Sequence, residues 1–291
     1  MGWEYLPFFV AVFIKDHWFK KLGDDMAVGT ACIQRAEGNV SALNLQYTPF
    51  VEAITLFITK IGGVGGIGMQ MGNRQDFLQQ GAKALDGIYD WMQSLEPVSL
   101  KELPPKNSAF LVVDMVNGFA KGGAMSGPRV KALIPTVADA ACACHKAGIP
   151  VVNFADCHEG QSPEFEAYPV HCVKGDWESQ VVEEIAAVPH TLIEKNSTNG
   201  LLEPAFVKWL TEHPHIHCLV LGGDCTDICV YQLAVGLKTW FNRQDRKSRV
   251  IVPAQLVDTF DAPGHKADLA NALSLYSMSS NGVEVAASLT W

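Results

Sequence analysis

A cysteine lies where an apolar run of the chain gives way to a helical pattern. Cys229 belongs to the segment Gly222–Val230 (GGDCTDICV), which follows the apolar run Cys218–Leu221. A helix N-terminus lowers the pKa of a thiol and offers main-chain N–H groups to an oxyanion. Cys229 is therefore a candidate nucleophile, although a lone cysteine after a buried strand is more often a small core residue. Cys225 competes for this role, but it lies ahead of the helix.

Charged side chains end three further apolar runs. They are Asp114, Asp156 and Lys195. Because function gathers beyond the carboxyl ends of parallel strands, we expect all three at the edge that holds Cys229. One carboxylate after a strand is as often a helix cap, but four such residues at one edge indicate a catalytic site. A carboxylate can take a thiol proton, and a lysine can stabilise the resulting charges.

The loop after Asp156 holds residue types that ligate metals. Two carboxylates and two imidazoles occur within sixteen residues: Asp156, His158, Glu164 and His171. This set suits a divalent transition metal. The spacing alone fits a solvated loop with incidental histidines equally well.

Alternating patterns predict the scaffold that must position these residues. The predicted strands are Ala109–Val113, Pro150–Ala155, Thr191–Glu194, Cys218–Leu221, Arg249–Val252 and Val283–Ala286. The predicted helices between them are Arg129–Ala147, Ser179–Ala187, Glu203–Glu212 and Thr226–Phe241. Near-continuous apolar strands joined by helices predict a three-layer α/β/α fold around a six-stranded parallel sheet.

The first 105 residues show no identifiable chemistry. Helical spacing over 74–95 predicts a docking helix, and the three prolines of Glu96–Lys106 indicate a linker. Residues 1–73 show no clear period, which leaves open a small accessory domain or a poorly ordered extension. We expect an N-terminal extension over 1–105 and the α/β domain over 106–291.

Composition excludes several classes of protein. Of 291 residues, 48% are hydrophobic, too many for a mainly disordered chain. The formal net charge of −9 disfavours a nucleic-acid partner. Eight scattered cysteines without a CxxC pair indicate reduced thiols. The apolar runs fit neither a secretory signal nor a membrane span, so we expect a soluble, cytoplasmic protein without a membrane partner.

The motifs resemble those of a known family. Asp114 in VVDMVNGF, Lys195 in IEKNSTNG and Cys229 in GDCTDICV resemble the Asp–Lys–Cys triad of the isochorismatase-like cysteine hydrolases. The loop over 156–172 (D-x-H…E…YPxHC) resembles the metal loop of their nicotinamidase branch. The resemblance covers residues 109–290, with four motifs in the family's order. It implies a six-stranded parallel sheet and amide hydrolysis through a thioester.

The resemblance implies a role for each catalytic residue. Cys229 would be the nucleophile, Asp114 the base that takes its proton, and Lys195 their electrostatic partner. The main-chain amides of Cys225 and Cys229 would form the oxyanion hole. The family's non-proline cis peptide bond would lie between Asp224 and Cys225.

The resemblance also implies a divalent metal ion, with zinc preferred and iron or manganese as alternatives. Its ligands would be Asp156, His158, Glu164 and His171. In nicotinamidases the ion holds the pyridine nitrogen while aromatic side chains sandwich the ring. Phe119 and Tyr168 occupy those aromatic positions.

Departures from the family pattern leave the substrate open. Val116 stands where many nicotinamidases have a glutamine, Glu164 where many have a third histidine, and Tyr168 where a tryptophan is frequent. We reject Lys174 as the triad lysine because it lies in a loop, whereas Lys195 ends a strand.

Three functions follow from these motifs. The leading prediction is a nicotinamidase, which converts nicotinamide to nicotinate and ammonia in NAD salvage. The second keeps the triad but acts on another small amide or carbamoyl compound, and the third is a catalytically silent module that binds a small ligand. Cys229 argues against true isochorismatase activity on an enol ether, and the intact triad argues against a silent module. The expected partner is a small-molecule amide, and the oligomeric state stays open, a homo-oligomer included.

Overall fold

The computed structural model describes residues 72–291, of which Arg74–Trp291 form one compact unit. The predictions for residues 1–71 lie outside the described residues. The domain division near residue 105 stays a prediction. Within the described chain, no helix is long and apolar enough to cross a bilayer.

A six-stranded parallel sheet forms the centre of this unit. Residues 72–291 contain eight strands, of which β2 to β7 form this sheet: β1 (Val98–Ser99), β2 (Ser108–Val113), β3 (Val151–Asp156), β4 (Thr191–Lys195), β5 (Cys218–Gly223), β6 (Arg249–Pro253), β7 (Glu284–Ala286) and β8 (Leu289–Thr290). The sheet order is β4-β3-β2-β5-β6-β7, and every neighbouring pair is parallel. Strands β1 and β8 pair separately. The predicted fold class is confirmed.

Helices cover both faces of this sheet. They are α1 (Arg74–Gln93), α2 (Asn117–Ala120), α3 (Pro128–Lys146), α4 (Glu183–Ala186), α5 (Pro204–Glu212), α6 (Tyr231–Arg243) and α7 (Ala267–Ser280). Alternate residues of a strand face opposite sides of a sheet. Accordingly, Phe110 and Val112 of β2 share a core cluster with α3, whereas Leu111 and Val113 share the other cluster with α5, α6 and α7. The result is the three-layer arrangement expected from the sequence.

Helix α1 packs against the last helix of the chain. It begins at Arg74 and ends at Gln93, two residues before the predicted end. The Trp91 ring meets Tyr276 of α7 edge to face, with 5.4 Å between ring centroids. Trp91 also packs against the core cluster that contains α6 and α7. Only Ile88 of this helix is buried, and Phe77 and Leu85 of its apolar positions are exposed, so the docking involves the C-terminal part of α1.

Sheet order brings the functional strand ends together. Strand β2 lies between β3 and β5, so the order of the chain reverses there, as it does at the ligand-binding crevice of open α/β sheets. The close approach of β5 to β2 depends on Gly223, whose φ is +118°. A Cβ at this position would lie 1.9 Å from the carbonyl oxygen of Val113, so only glycine fits.

Candidate active site

The structure brings the three predicted catalytic residues to the same edge of the sheet. Asp114 follows β2, Lys195 ends β4, and Cys229 lies in the π-helical turn Thr226–Val230 between β5 and α6. All three side chains are buried. Asp114 turns the chain sharply after β2 with a φ of +53°, a left-handed conformation that aspartate tolerates better than most residues.

Lys195 is the centre of a buried charge network. Its Nζ lies 3.0 Å from Asp114 Oδ2 in an ion pair, and it donates hydrogen bonds to Asp156 Oδ1 and, at 3.0 Å, to the carbonyl oxygen of Ser197. Burial alone would lower the pKa of Lys195, but the negative groups around it, Asp114 foremost, raise that pKa well above its ordinary value. Lys195 therefore stays a fixed positive charge.

The pKa shifts of Asp114 and Cys229 indicate that the carboxylate is the proton acceptor and that the resting sulfur is a thiol. Burial raises the pKa of Asp114 to about 6, against the opposing effect of Lys195. Burial also raises the pKa of Cys229 well above its ordinary value, and Lys195 again opposes the shift. The helix start suggested a lowered thiol pKa, whereas burial raises it. The resting site holds a thiol beside a carboxylate whose raised pKa makes it a stronger base.

The turn before Cys229 has the geometry that the resemblance implied. The peptide bond between Asp224 and Cys225 is cis. The carbonyl oxygen of Cys225 accepts hydrogen bonds from the N–H groups of Ile228 and Val230, whereas the N–H group of Cys225 donates to none of the residues 72–291. This main-chain N–H group is therefore available to an oxyanion.

Asp224 is a buried carboxyl that the sequence reading missed. Its side chain is fully buried, and Oδ2 lies 3.8 Å from the Cys225 sulfur. Burial, with a further contribution from the charge of Asp114, raises the pKa of Asp224 well above its ordinary value. Burial thus disfavours the charged form of the Asp224 carboxyl.

The four predicted metal ligands also meet in the structure. Their ligand atoms lie within 4.8 Å of one another, and the group comprises Asp156, His158, Glu164 and His171. Asp156 Oδ2 is 2.9 Å from His158 Nε2 and 3.0 Å from His171 Nε2. Burial would raise the pKa of Asp156, but Lys195 and the two imidazoles outweigh it and lower that pKa. Asp156 thus stays an anionic ligand.

Hydrogen bonds orient both imidazoles of this cluster. His171 Nδ1 lies 2.6 Å from the carbonyl oxygen of Pro169, and His158 Nδ1 lies 3.1 Å from Asn196 Oδ1. A carbonyl oxygen can only accept, so each Nδ1 carries a proton toward its partner, and each Nε2 faces the cluster. Metal-ligating histidines have this arrangement. The donor set and its orientation fit a divalent transition metal ion.

Aromatic side chains surround the cluster. The predicted substrate-binding residues Phe119 and Tyr168 have ring centroids 5.6 Å and 6.2 Å from that of His171. Phe165, which the sequence reading missed, has centroids 5.4 Å from His158 and 5.6 Å from His171. Its position next to Glu164 in the chain could have identified it as a residue of the site.

The thiol and the metal-ligating cluster open into one cavity of 530 Å³. Its lining includes seven residues singled out from the sequence: Phe119, Asp156, Glu164, Tyr168, His171, Cys225 and Cys229. Thr198, which lies in the quoted motif IEKNSTNG but was given no role, also lines it, as do Arg129 and Phe260, which no motif marked. Lys174 lies outside the cavity lining, exposed, with Nζ 3.5 Å from Glu194 Oε2.

Comparison with known proteins assigns the family. The isochorismatase domain model matches residues 108–281, more than half of the chain. The chain belongs to the isochorismatase family. This membership confirms the family predicted from the motifs and makes the protein an enzyme of the hydrolase class. No curated protein sequence matches the chain.

Solved structures of similar fold include three amidases. N-carbamoylsarcosine amidase from Thermoplasma acidophilum is 26% identical, with 62% of this chain and 95% of that chain covered and a TM-score of 0.51. Nicotinamidase from Bacillus subtilis is 22% identical, with coverages of 62% and 99% and a TM-score of 0.54. Pyrazinamidase of Pyrococcus horikoshii, in complex with zinc, is 21% identical, with coverages of 62% and 98% and a TM-score of 0.52.

Proposed function

We propose that this isochorismatase-family member is a metal-containing cysteine amidohydrolase that converts nicotinamide to nicotinate and ammonia. One observation carries the proposal: the thiol and the metal-ligating cluster share a cavity. Cys229 lines it together with Asp156, Glu164 and His171. A flat substrate that carries an amide and a ring nitrogen can engage both at once.

The triad supplies the covalent chemistry. Asp114 takes the proton of the Cys229 thiol as the Cys229 sulfur attacks the amide carbon. The main-chain N–H groups of Cys225 and Cys229 stabilise the oxyanion that forms. Asp114 then gives the proton to the leaving nitrogen, which departs as ammonia and leaves a thioester. A water molecule, deprotonated by Asp114, cleaves the thioester to the acid and restores the thiol.

The metal-ligating residues would select the substrate. Asp156, His158, Glu164 and His171 would hold the ion, with zinc preferred and iron or manganese as alternatives. A bound ion would supply an open coordination position for a pyridine nitrogen. Phe119 and Tyr168 would orient the ring from the cavity wall, where both lie.

Hydrolysis of a small carbamoyl compound is the second candidate. It is favoured by the 26% identity to N-carbamoylsarcosine amidase, above that of the nicotinamidase from Bacillus subtilis. A carbamoyl group has the same terminal –CO–NH2 unit, so the triad chemistry is unchanged. The two candidates differ in whether a ring nitrogen is required.

Ammonia release from nicotinamide and from N-carbamoylsarcosine tests the proposal. We expect release from nicotinamide that falls after chelation and is absent in Cys229→Ala. Release from N-carbamoylsarcosine alone would favour the second candidate. Undiminished nicotinamide hydrolysis in metal-free protein would remove the ion from the reaction.

A further inference from the structure

The cavity extends beyond the triad and the metal-ligating cluster. Besides the residues described above, two chain segments line it, residues 124–130 at the start of α3 and residues 260–262 after β6, together with Ile228. We call the part of the cavity lined by these residues its outer part. Ligand pockets of about 300–1,000 Å³ bury drug-sized molecules, and this cavity of 530 Å³ lies within that range. A single pyridine ring with its carboxamide therefore leaves the outer part unfilled.

Arg129 joins the two segments. Its Nε lies 3.0 Å and 3.1 Å from the carboxylate oxygens of Asp258, and its Nη2 lies 2.9 Å from Asp268 Oδ1. Asp261 Oδ2 lies 3.8 Å from Nη1. The guanidinium is thus already engaged by three carboxylates, and the group is net negative. Within residues 72–291, no Lys or Arg other than this paired Arg129 lines the cavity, so an anionic ligand would be repelled.

Apolar side chains line the same part of the cavity. Met125, Ile228 and Phe260 are half-buried and line the cavity. The Phe260 ring stacks on the His265 imidazole with 4.2 Å between centroids and 14° between planes. His265 Nε2 is held in turn by Asp227 Oδ2 at 2.8 Å. This wall is therefore apolar and fixed in place.

Met125, Ile228 and Phe260 together define what we call the outer subsite. We propose that the outer subsite binds an uncharged apolar extension of the substrate amide. The preferred substrate is then an aromatic amide with an aryl or alkyl substituent. The inference rests on the proposed function for placing the amide at Cys229. It adds the substrate class that fills the rest of the cavity.

Four matched amides separate this inference from the proposed function. Nicotinamide and benzamide differ only in the ring nitrogen, and 5-phenylnicotinamide and 3-phenylbenzamide add one phenyl group to each. Within each pair, burial of the phenyl group should raise kcat/KM about tenfold or more. Affinity for Cys229→Ala, measured by calorimetry, should rise by a similar factor and requires no turnover. A carboxylate on the added phenyl group should abolish the gain.

Two variants test whether the gain from the phenyl group depends on the outer subsite. Phe260→Ala should reduce the gain from the phenyl group to less than about threefold. Leu202→Ala, which truncates an exposed apolar side chain outside the cavity lining, should retain the full gain. The inference is overturned if the phenyl group gives no gain in affinity, or if the gain persists in Phe260→Ala. Equal rates for nicotinamide and benzamide would instead contradict the proposed function. The comparison with and without the phenyl group would still test the outer subsite.

Discussion

Lys195 Nζ lies 3.0 Å from Asp114 Oδ2, and the same ammonium group donates to Asp156 Oδ1. One buried cation therefore joins the triad base to a residue of the metal-ligating cluster. Asp156 and Lys195 are register partners of β3 and β4, so the sheet itself sets this contact. Catalytic base and metal-ligating cluster should consequently depend on each other.

Removal of the shared cation should destabilise the fold. In Lys195→Met, two buried carboxylates lose their partner, and breaking a buried ion pair from one side costs about 3–5 kcal/mol. We expect the free energy of unfolding, from urea titration, to fall by an amount of this order. Lys174→Met, at an exposed lysine beside Glu159 and Glu194, is the control and should change it by less than about 0.5 kcal/mol. Equal stability of the two variants would contradict the network.

The two cysteines of the turn should respond differently to alanine. Cys229→Ala removes the nucleophile, so kcat should fall by at least about 10⁴-fold. Cys225→Ala keeps the main-chain N–H group that we assign to the oxyanion hole, so most of kcat should remain. Steady-state kinetics on the preferred amide decides the point. An inactive Cys225→Ala with an active Cys229→Ala would reverse the assignment.

Much of the scaffold could be predicted because its signals are local. Strands β2, β3 and β5 are buried at every residue and appear in the sequence as near-continuous apolar runs. Helix α7 has no such signal. Its apolar residues form no clear stripe, and only Ala267, Leu275 and Met278 of its residues are buried. The helix was therefore not predicted from the sequence.

The contacts within the site could not be predicted because they depend on register and loop conformation. Lys195 and Asp156 are 39 residues apart, and no pattern in the sequence specifies their pairing. The sequence also did not indicate how deeply Cys229 is buried. Burial raises the pKa of this thiol, whereas the helix start suggested a lowered value. Arg129 was missed because its three carboxylate partners lie at least 129 residues away in sequence.

The acid limb of the pH profile should report Asp114. Burial raises its pKa to about 6, so the base is a carboxylate above that pH and a neutral acid below it. Since the reaction needs the carboxylate, kcat/KM should fall about tenfold per pH unit below about pH 6. Metal content measured at each pH separates this loss from ligand protonation. A constant kcat/KM down to about pH 5, one unit below this pKa, would contradict Asp114 as the base.

Asn196 should control metal affinity without belonging to the ligand set. Its Oδ1 lies 3.1 Å from His158 Nδ1, and loss of such a partner to a metal-ligating histidine costs about 10- to 100-fold in affinity. Asn196→Ala should therefore weaken zinc binding by this factor, measured by competition with a chromophoric chelator. The residue is exposed and its main-chain N–H group keeps its bond to Glu203 Oε1, so the fold should be unaffected.

Two further variants at exposed positions make the Asn196 test specific. Asn196→Asp retains an oxygen acceptor for the imidazole and should restore zinc affinity, whereas Asn242→Ala, at an exposed asparagine outside the cavity lining, should leave it unchanged. With zinc removed, the alkylation rate of Cys229 should be the same in all three variants, because within residues 72–291 the Asn196 side chain is hydrogen-bonded to His158 and has no hydrogen bond to Lys195. If Asn196→Ala binds zinc as tightly as the parent, His158 does not need this hydrogen bond to present Nε2, and the orientation argued above has another cause.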